Sequence, residues 1–204
     1  LLLELPEVSD VQVQLNGQLS GEEGQLFEGE ASLKAAKATA LLNLVGGATS
    51  AESGIKWPLA AEATVTLRHG EVALNDLKVK LPEVQLEGWG RLRPGQPETF
   101  ELNLASRFLD LGPLLSAEGS QWHRLLLPSQ LKGKVRLEVD RLLWRGQTLE
   151  RLELSAALDQ GDLRIDHLAV AFPGGGSLIS QGTWATSLSS PEFVGSARLE
   201  IGRA

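Results

Sequence analysis

The sequence predicts an all-β fold: an elongated, curved antiparallel sheet built from repeated β units, with one or two short helices. Three observations carry that expectation. Apolar and polar residues alternate along much of the chain, glycine-bearing turn signals separate the alternating runs, and one stretch of the chain repeats another. Successive side chains of a strand point to opposite faces, so each alternating run makes one apolar face and one wet face. A sheet with such a face forms either an open groove or a flattened sandwich.

Residues 1–54 read as a partial β unit followed by a short helix. Ser32 to Val45 (SLKAAKATALLNLV) is rich in Ala and Leu, Ser32 is placed to cap its start, and Gly46-Gly47 to end it. Residues 55–127 read as a first β repeat unit. Val65 and Leu67 alternate with polar neighbours, Arg68-His69-Gly70 makes the turn, and Val72, Leu74, Leu77, Val79 and Leu81 return. Leu109 to Leu127 contains Pro113 and Gly119, which limit any helix there to a turn or two.

Residues 128–204 read as a second repeat unit, continuous with the first. Val135, Leu137 and Val139 alternate with Lys134, Arg136, Glu138 and Asp140. Arg145-Gly146-Gln147 turns the chain into Leu152, Leu154, Ala156 and Leu158. Asp159-Gln160-Gly161 then leads to Leu163, Ile165, Leu168, Val170 and Phe172. Each turn holds a glycine able to take a positive φ in a tight hairpin.

The repeat is explicit: residues 65–82 (VTLRHGEVALNDLKVKLP) parallel residues 156–173 (AALDQGDLRIDHLAVAFP), an offset of 156 − 65 = 91. Leu67 then matches Leu158, Leu77 matches Leu168 and Val79 matches Val170. A shorter signature, a large apolar residue two places before a glycine, recurs at Leu15-Asn16-Gly17, Phe27-Glu28-Gly29, Leu86-Glu87-Gly88, Leu131-Lys132-Gly133 and Phe193-Val194-Gly195. Glycine inside a strand marks a bulge, a bend or the close approach of another backbone, so recurrence suggests a sheet bent repeatedly in one sense.

Composition narrows the chemistry. The chain has 204 residues, and 19 Lys+Arg against 26 Asp+Glu give a net charge of −7, which argues against a nucleic-acid grip. With no cysteine, disulfides, thiolate metal sites and cysteine nucleophiles are excluded. His69, His123 and His167 stand apart, and no G-x-S-x-G elbow exists. Gly174-Gly175-Gly176 opens onto a strand pattern rather than a helix, and Gly88-Trp89-Gly90 lacks the third glycine of a dinucleotide fingerprint. Glu22-Glu23 reads as solvated turn. Trp57, Trp89, Trp122, Trp144 and Trp184 form no basic–aromatic ladder, and Trp89 and Trp184 follow Gly88 and Gly182 as core or groove-rim packing. Neither a catalytic set, a metal site nor a cofactor is expected. No apolar run approaches the roughly 20 residues that span a bilayer. The start, Leu1-Leu2-Leu3-Glu4-Leu5-Pro6, has no initiator Met or basic region and reads as a cut end, so any membrane anchor is expected outside this stretch.

Residues 131–184 (LKGKVRLEVDRLLWRGQTLERLELSAALDQGDLRIDHLAVAFPGGGSLISQGTW) resemble the AsmA-like family of bacterial envelope proteins. The resemblance falls on Leu149, Leu152, Leu154, Gly161, Leu163, Leu168, Gly175 and Gly182. Two further phrases, Phe108-Leu109-Asp110-Leu111-Gly112-Pro113-Leu114-Leu115 and Trp57-Pro58-Leu59-Ala60, are similar to ones that close and open a repeat in that family. The resemblance implies a long sheet curled into a groove, apolar inside, that binds or conducts phospholipids between the inner and outer membranes and so supports outer-membrane assembly. It also implies a periplasmic location in a Gram-negative bacterium, with the full-length protein anchored in the inner membrane. Phospholipid acyl chains and other envelope proteins are the partners implied.

The residues expected to line such a groove are Val65, Leu67, Val72, Leu74, Leu77, Val79 and Leu81 of the first unit. From the second come Val135, Leu137, Val139, Leu152, Leu154, Leu163, Ile165, Leu168 and Val170. The same residues would equally form the dry core of a closed sandwich, that is, a non-catalytic structural or protein-interaction domain.

Overall fold

The computed structural model describes residues 2–4, 11–20, 25–36, 58–81, 84–95, 98–110, 112, 131–159, 162–185 and 192–202. Within them the chain is almost entirely β. A twelve-stranded sheet takes β1 (Leu2–Glu4), β2 (Val11–Gln18), β3 (Gln25–Ala35), β4 (Leu59–Arg68), β5 (Glu71–Leu81), β6 (Val84–Arg93) and β7 (Glu98–Ser106) side by side in chain order. It continues through β9 (Leu131–Val139), β12 (Leu152–Asp159), β13 (Asp162–Ala171), β14 (Ser177–Ala185) and β15 (Glu192–Glu200). The remaining three strands, β8 (Leu109–Asp110), β10 (Leu142–Trp144) and β11 (Gln147–Leu149), form a small separate sheet.

Neighbours pair antiparallel throughout the large sheet except at one seam, where β7 and β9 run parallel. Two of the three predicted hairpin turns follow the expected chemistry, and Gln160-Gly161 of the third lie outside the described residues. His69 and Gly70 have φ of 48° and 76°, and Arg145 and Gly146 have 50° and 76°. Two consecutive positive φ values are those of the tight turn whose twist matches paired strands.

The sequence repeat is a repeat of strand pairing. β4, β5 and β6 recur as β12, β13 and β14, and both copies carry a bulge at the same place. In β5 the register shifts between Leu74 and Leu77; in β13 it shifts between Ile165 and Leu168, 91 positions on. Asp76, inside the first bulge, takes a φ of 50°. The pairing also extends the unit: β3 lies beside β4 as β9 lies beside β12, and β7 lies beside β6 as β15 lies beside β14. Each unit is therefore five antiparallel strands, and the parallel β7–β9 seam joins one unit to the next.

The expected helix from Ser32 is corrected for its described part. Ser32-Leu33-Lys34-Ala35 ends β3, with Leu33 between Val13 and Ala61 and Ala35 between Val11 and Leu59. Those four residues also alternate polar and apolar, and strands on both sides satisfy the backbone groups that a helix would have paired internally. Residues 37–47 of that segment lie outside the described residues, as do Leu114–Leu127, Trp57, Trp122, His123 and Glu22-Glu23.

Candidate functional site: one apolar face across the sheet

Cross-strand partners share a face, so the pairing decides which residues belong together. One line of direct partners crosses eleven strands: Gly17, Gly29, Val65, Leu74, Gly90, Leu102, Val135, Ala156, Ile165, Gly182 and Gly195. Beside it runs Phe27, Leu67, Val72, Leu92, Phe100, Gly133, Leu158, Leu163, Trp184 and Phe193. On its other side lie Leu77, Gly88, Leu104, Leu137, Leu154 and Leu168, and beyond them Val79 with Leu86 and Val139 with Leu152 and Val170. All sixteen residues expected to line a groove, Leu81 included through its pairing with Val84, fall on this one face. At an inter-strand spacing of about 4.8 Å, the ten steps between these strands carry it along a contour of about 50 Å.

The opposite face is mostly polar, with Trp89, Ile179 and Val194 as its large apolar members. Gln12, Gln14 and Asn16 lead to Glu28, Glu30 and Lys34, and later strands add Lys78, Lys80, Glu87, Arg91, Lys134, Arg136 and Glu138, all exposed. Its ion pairs include Lys132–Asp159 at 2.8 Å, Arg93–Glu71 at 2.6 Å and Arg151–Glu153 at 2.7 Å. Solvated pairs of this kind add little stability. Arg164 donates from Nε to Asp166 Oδ1 at 2.7 Å, and that bond together with the carboxylate's charge holds the guanidinium pKa above its ordinary value.

No second sheet of comparable size lies over the apolar face among the described residues. Leu67, Leu74, Val79, Leu137, Leu154, Leu163 and Ile165 are half-buried, shielded by neighbouring side chains of their own sheet rather than enclosed. The closed sandwich is therefore not what these residues form. Among the described residues a second layer covers the face at one end, although Val65, Leu77, Leu104, Ala156 and Leu158 are also buried. Leu109 of β8, Leu142 of β10 and Leu149 of β11 pack against Val84, Val139 and Val170, and Val139 is the most deeply buried of these at 2% exposure. Leu81, Leu86, Leu137, Leu152, Leu168, Phe172 and Leu178 flank that cluster.

This strap arises from local geometry. β10 and β11 form a hairpin inserted between β9 and β12, and β8 follows β7 directly and pairs parallel with β10. The Ser106 hydroxyl, itself buried, lies 2.8 Å from the carbonyls of both Gln85 and Phe108 and accepts from Phe108 N–H at 3.3 Å. Leu109 N–H donates to the Arg141 carbonyl at 2.9 Å, and Asp140 N–H to the Ser106 carbonyl at 3.0 Å.

The recurrent glycines sit on the apolar face. At Gly17 and Gly29, and again at Gly182 and Gly195, two glycines face each other across a strand pair, and a Cβ on any of the four would collide with the partner strand's backbone. The rings of Phe27 and Phe193 lean over these paired glycines, an aromatic cover for a bare stretch of sheet. Trp89 and Trp184, by contrast, are not equivalent. Trp184 is on the apolar face beside Phe193, with ring centroids 6.4 Å apart, whereas Trp89 is on the polar face under the Arg91 guanidinium. One extra residue between β13 and β14 sets Gly182 opposite Ile165 as Gly90 is opposite Leu74, so Trp184 takes the place of Leu92.

Among the described residues no three His, Cys, Asp or Glu side chains converge as metal ligands, and no helix is long and apolar enough to cross a membrane. His69 lies in its hairpin turn and His167 at the β13 bulge, both exposed. Gly174 and Gly175, with φ of 89° and 86°, form the turn between β13 and β14. No protein-family model, curated protein or solved structure matches this chain.

Proposed function

We propose that the apolar face is a groove for phospholipid acyl chains, and that the chain is the periplasmic part of an AsmA-like, inner-membrane-anchored protein that binds or conducts lipid between the two membranes of a Gram-negative envelope. The observation that carries this reading is the single apolar face, continuous over eleven strands and left uncovered by the described residues apart from the strap. A half-buried apolar face of that extent, without a second sheet over it among the described residues, calls for an occupant. Each methylene of an acyl chain removed from water contributes about 0.8 kcal/mol, so a few tens of methylenes offset a large exposed face without any specific polar anchor. The strap closes one side of the face, so a chain lying on it leaves its headgroup at the opposite, open side near Leu67, Leu92 and Leu163. No bond is made or broken in this reading, and the protein acts by shape and solvation alone.

Native mass spectrometry of protein freshly purified from Gram-negative cells, with lipid extraction of the same sample, tests it. Stoichiometric phospholipid is expected, and Leu137→Asp or Ile165→Asp should lower it at least tenfold with the circular dichroism spectrum unchanged, because a carboxylate in an acyl-lined surface loses its hydration. A clean apo mass with no uptake from added liposomes would instead identify a structural domain.

A further inference from the structure

We propose that the outer edge of β15 is a docking site for one further strand, added parallel and carrying the chemistry of β9: apolar residues at alternate positions, Lys opposite Glu192 and Glu opposite Arg198. The argument stands on the internal repeat and does not depend on lipid. β15 holds in its unit the place that β7 holds in the other, with Phe193 matching Phe100, Gly195 matching Leu102 and Ala197 matching Leu104. The outer edge of β7 is covered by β9, in parallel, through nine consecutive residue pairs. Among the described residues nothing pairs with the outer edge of β15, and every residue of that strand is exposed. Its apolar members are no exception: Val194 is 66% exposed and Leu199 61%. A nine-residue strand with open backbone groups and exposed apolar side chains is a template for pairing unless something covers it.

The β7–β9 register supplies the geometry of the partner. There Phe100 lies opposite Gly133, and its ring fills the space where a Cβ on Gly133 would stand. Phe193 instead turns back over Gly182 and Gly195. Transferred to β15, the same register sets a lysine like Lys132 against Glu192 and a glutamate like Glu138 against Arg198. The β7 positions equivalent to Glu192 and Arg198 are the uncharged Thr99 and Ala105, so β15 adds two opposite-charge pairs that the internal seam lacks. A strand added this way extends the apolar face by one step and leaves its charges on the polar side.

The probe is the synthetic peptide of residues 131–139, LKGKVRLEV, added in trans to the intact, isotopically labelled protein. Amide hydrogen exchange is read by NMR. Protection is expected at alternate β15 amides, with Phe193 and Trp184 ring resonances shifting. A peptide with Lys132→Glu and Glu138→Lys should bind about fivefold more weakly. Equal binding of a scrambled peptide, protection confined to other strands, or no protection at millimolar peptide would overturn the proposal. So would dimerisation of the protein through antiparallel β15–β15 pairing, which would make a second copy the occupant.

Discussion

Leu142→Ala probes the strap that closes one end of the apolar face. Leu142 is 3% exposed and packs with Leu109, Leu149, Val84, Val139 and Val170. Truncation removes three carbons from that cluster, a transfer loss of about 2.4 kcal/mol at about 0.8 kcal/mol per methylene. The cavity left behind raises the expected cost to about 3–4 kcal/mol, within the span known for buried leucine truncations. β10 is only three residues long and bonds to short neighbours, so part of that loss appears as undocking of the strap. Urea unfolding followed by circular dichroism gives the total, and hydrogen exchange at Leu109 and Leu149 reports the undocking. For a chain of this size the thermal midpoint should fall by about 6–16 °C. Leu199→Ala, on an exposed position, is the matched control and should cost under about 0.5 kcal/mol. A loss below about 1 kcal/mol for Leu142→Ala would refute the reasoning, because the strap would then not be packed on the sheet.

Three further outcomes follow from the same geometry. Ser106→Ala removes the hydroxyl shared by Gln85 and Phe108 and should cost about 1–2 kcal/mol in urea unfolding, whereas Ser106→Thr should retain most of it. His69→Asn places a residue that tolerates positive φ at the first turn position of the β4–β5 hairpin and should stabilise by about 0.5 kcal/mol, measured as a higher thermal midpoint. Gly182→Val drives a side chain into the Phe193 ring and the Val194 carbonyl; it should cost about 2 kcal/mol or more and speed exchange of β15 amides ahead of all other strands.

Much of the candidate site was legible because the signal that defines it is local. Val135-Arg136-Leu137-Glu138-Val139 alternates whatever its neighbours do, and a strand's two-residue period then assigns faces without any knowledge of partners. The repeat was legible for the same reason, whereas its paired bulges came from the structure, where Asn75-Asp76 and Asp166-His167 interrupt the same alternation at the same place inside continuous strands. The helix expected from Ser32 shows where local reading fails. Its described residues satisfy both a helical and a two-residue pattern, and pairing with β2 and β4 decided between them. Trp89 and Trp184, both expected as core or groove-rim packing, take opposite faces, because a single inserted residue in a loop reverses which face a side chain takes.

By itself, then, the alternation of Leu, Val and Ile with Lys, Arg and Glu determined that this chain forms strands with one apolar face, and its repeat determined that two units share one design. Tertiary structure alone decided that β7 and β9 meet in parallel, that Leu109, Leu142 and Leu149 fold over one end, and that no other described residue covers the rest of the face or pairs with the edge of β15. The physical reason is range. Face assignment needs only neighbouring dihedral angles, whereas seams, covers and open edges depend on backbone groups far apart in sequence finding, or not finding, a partner.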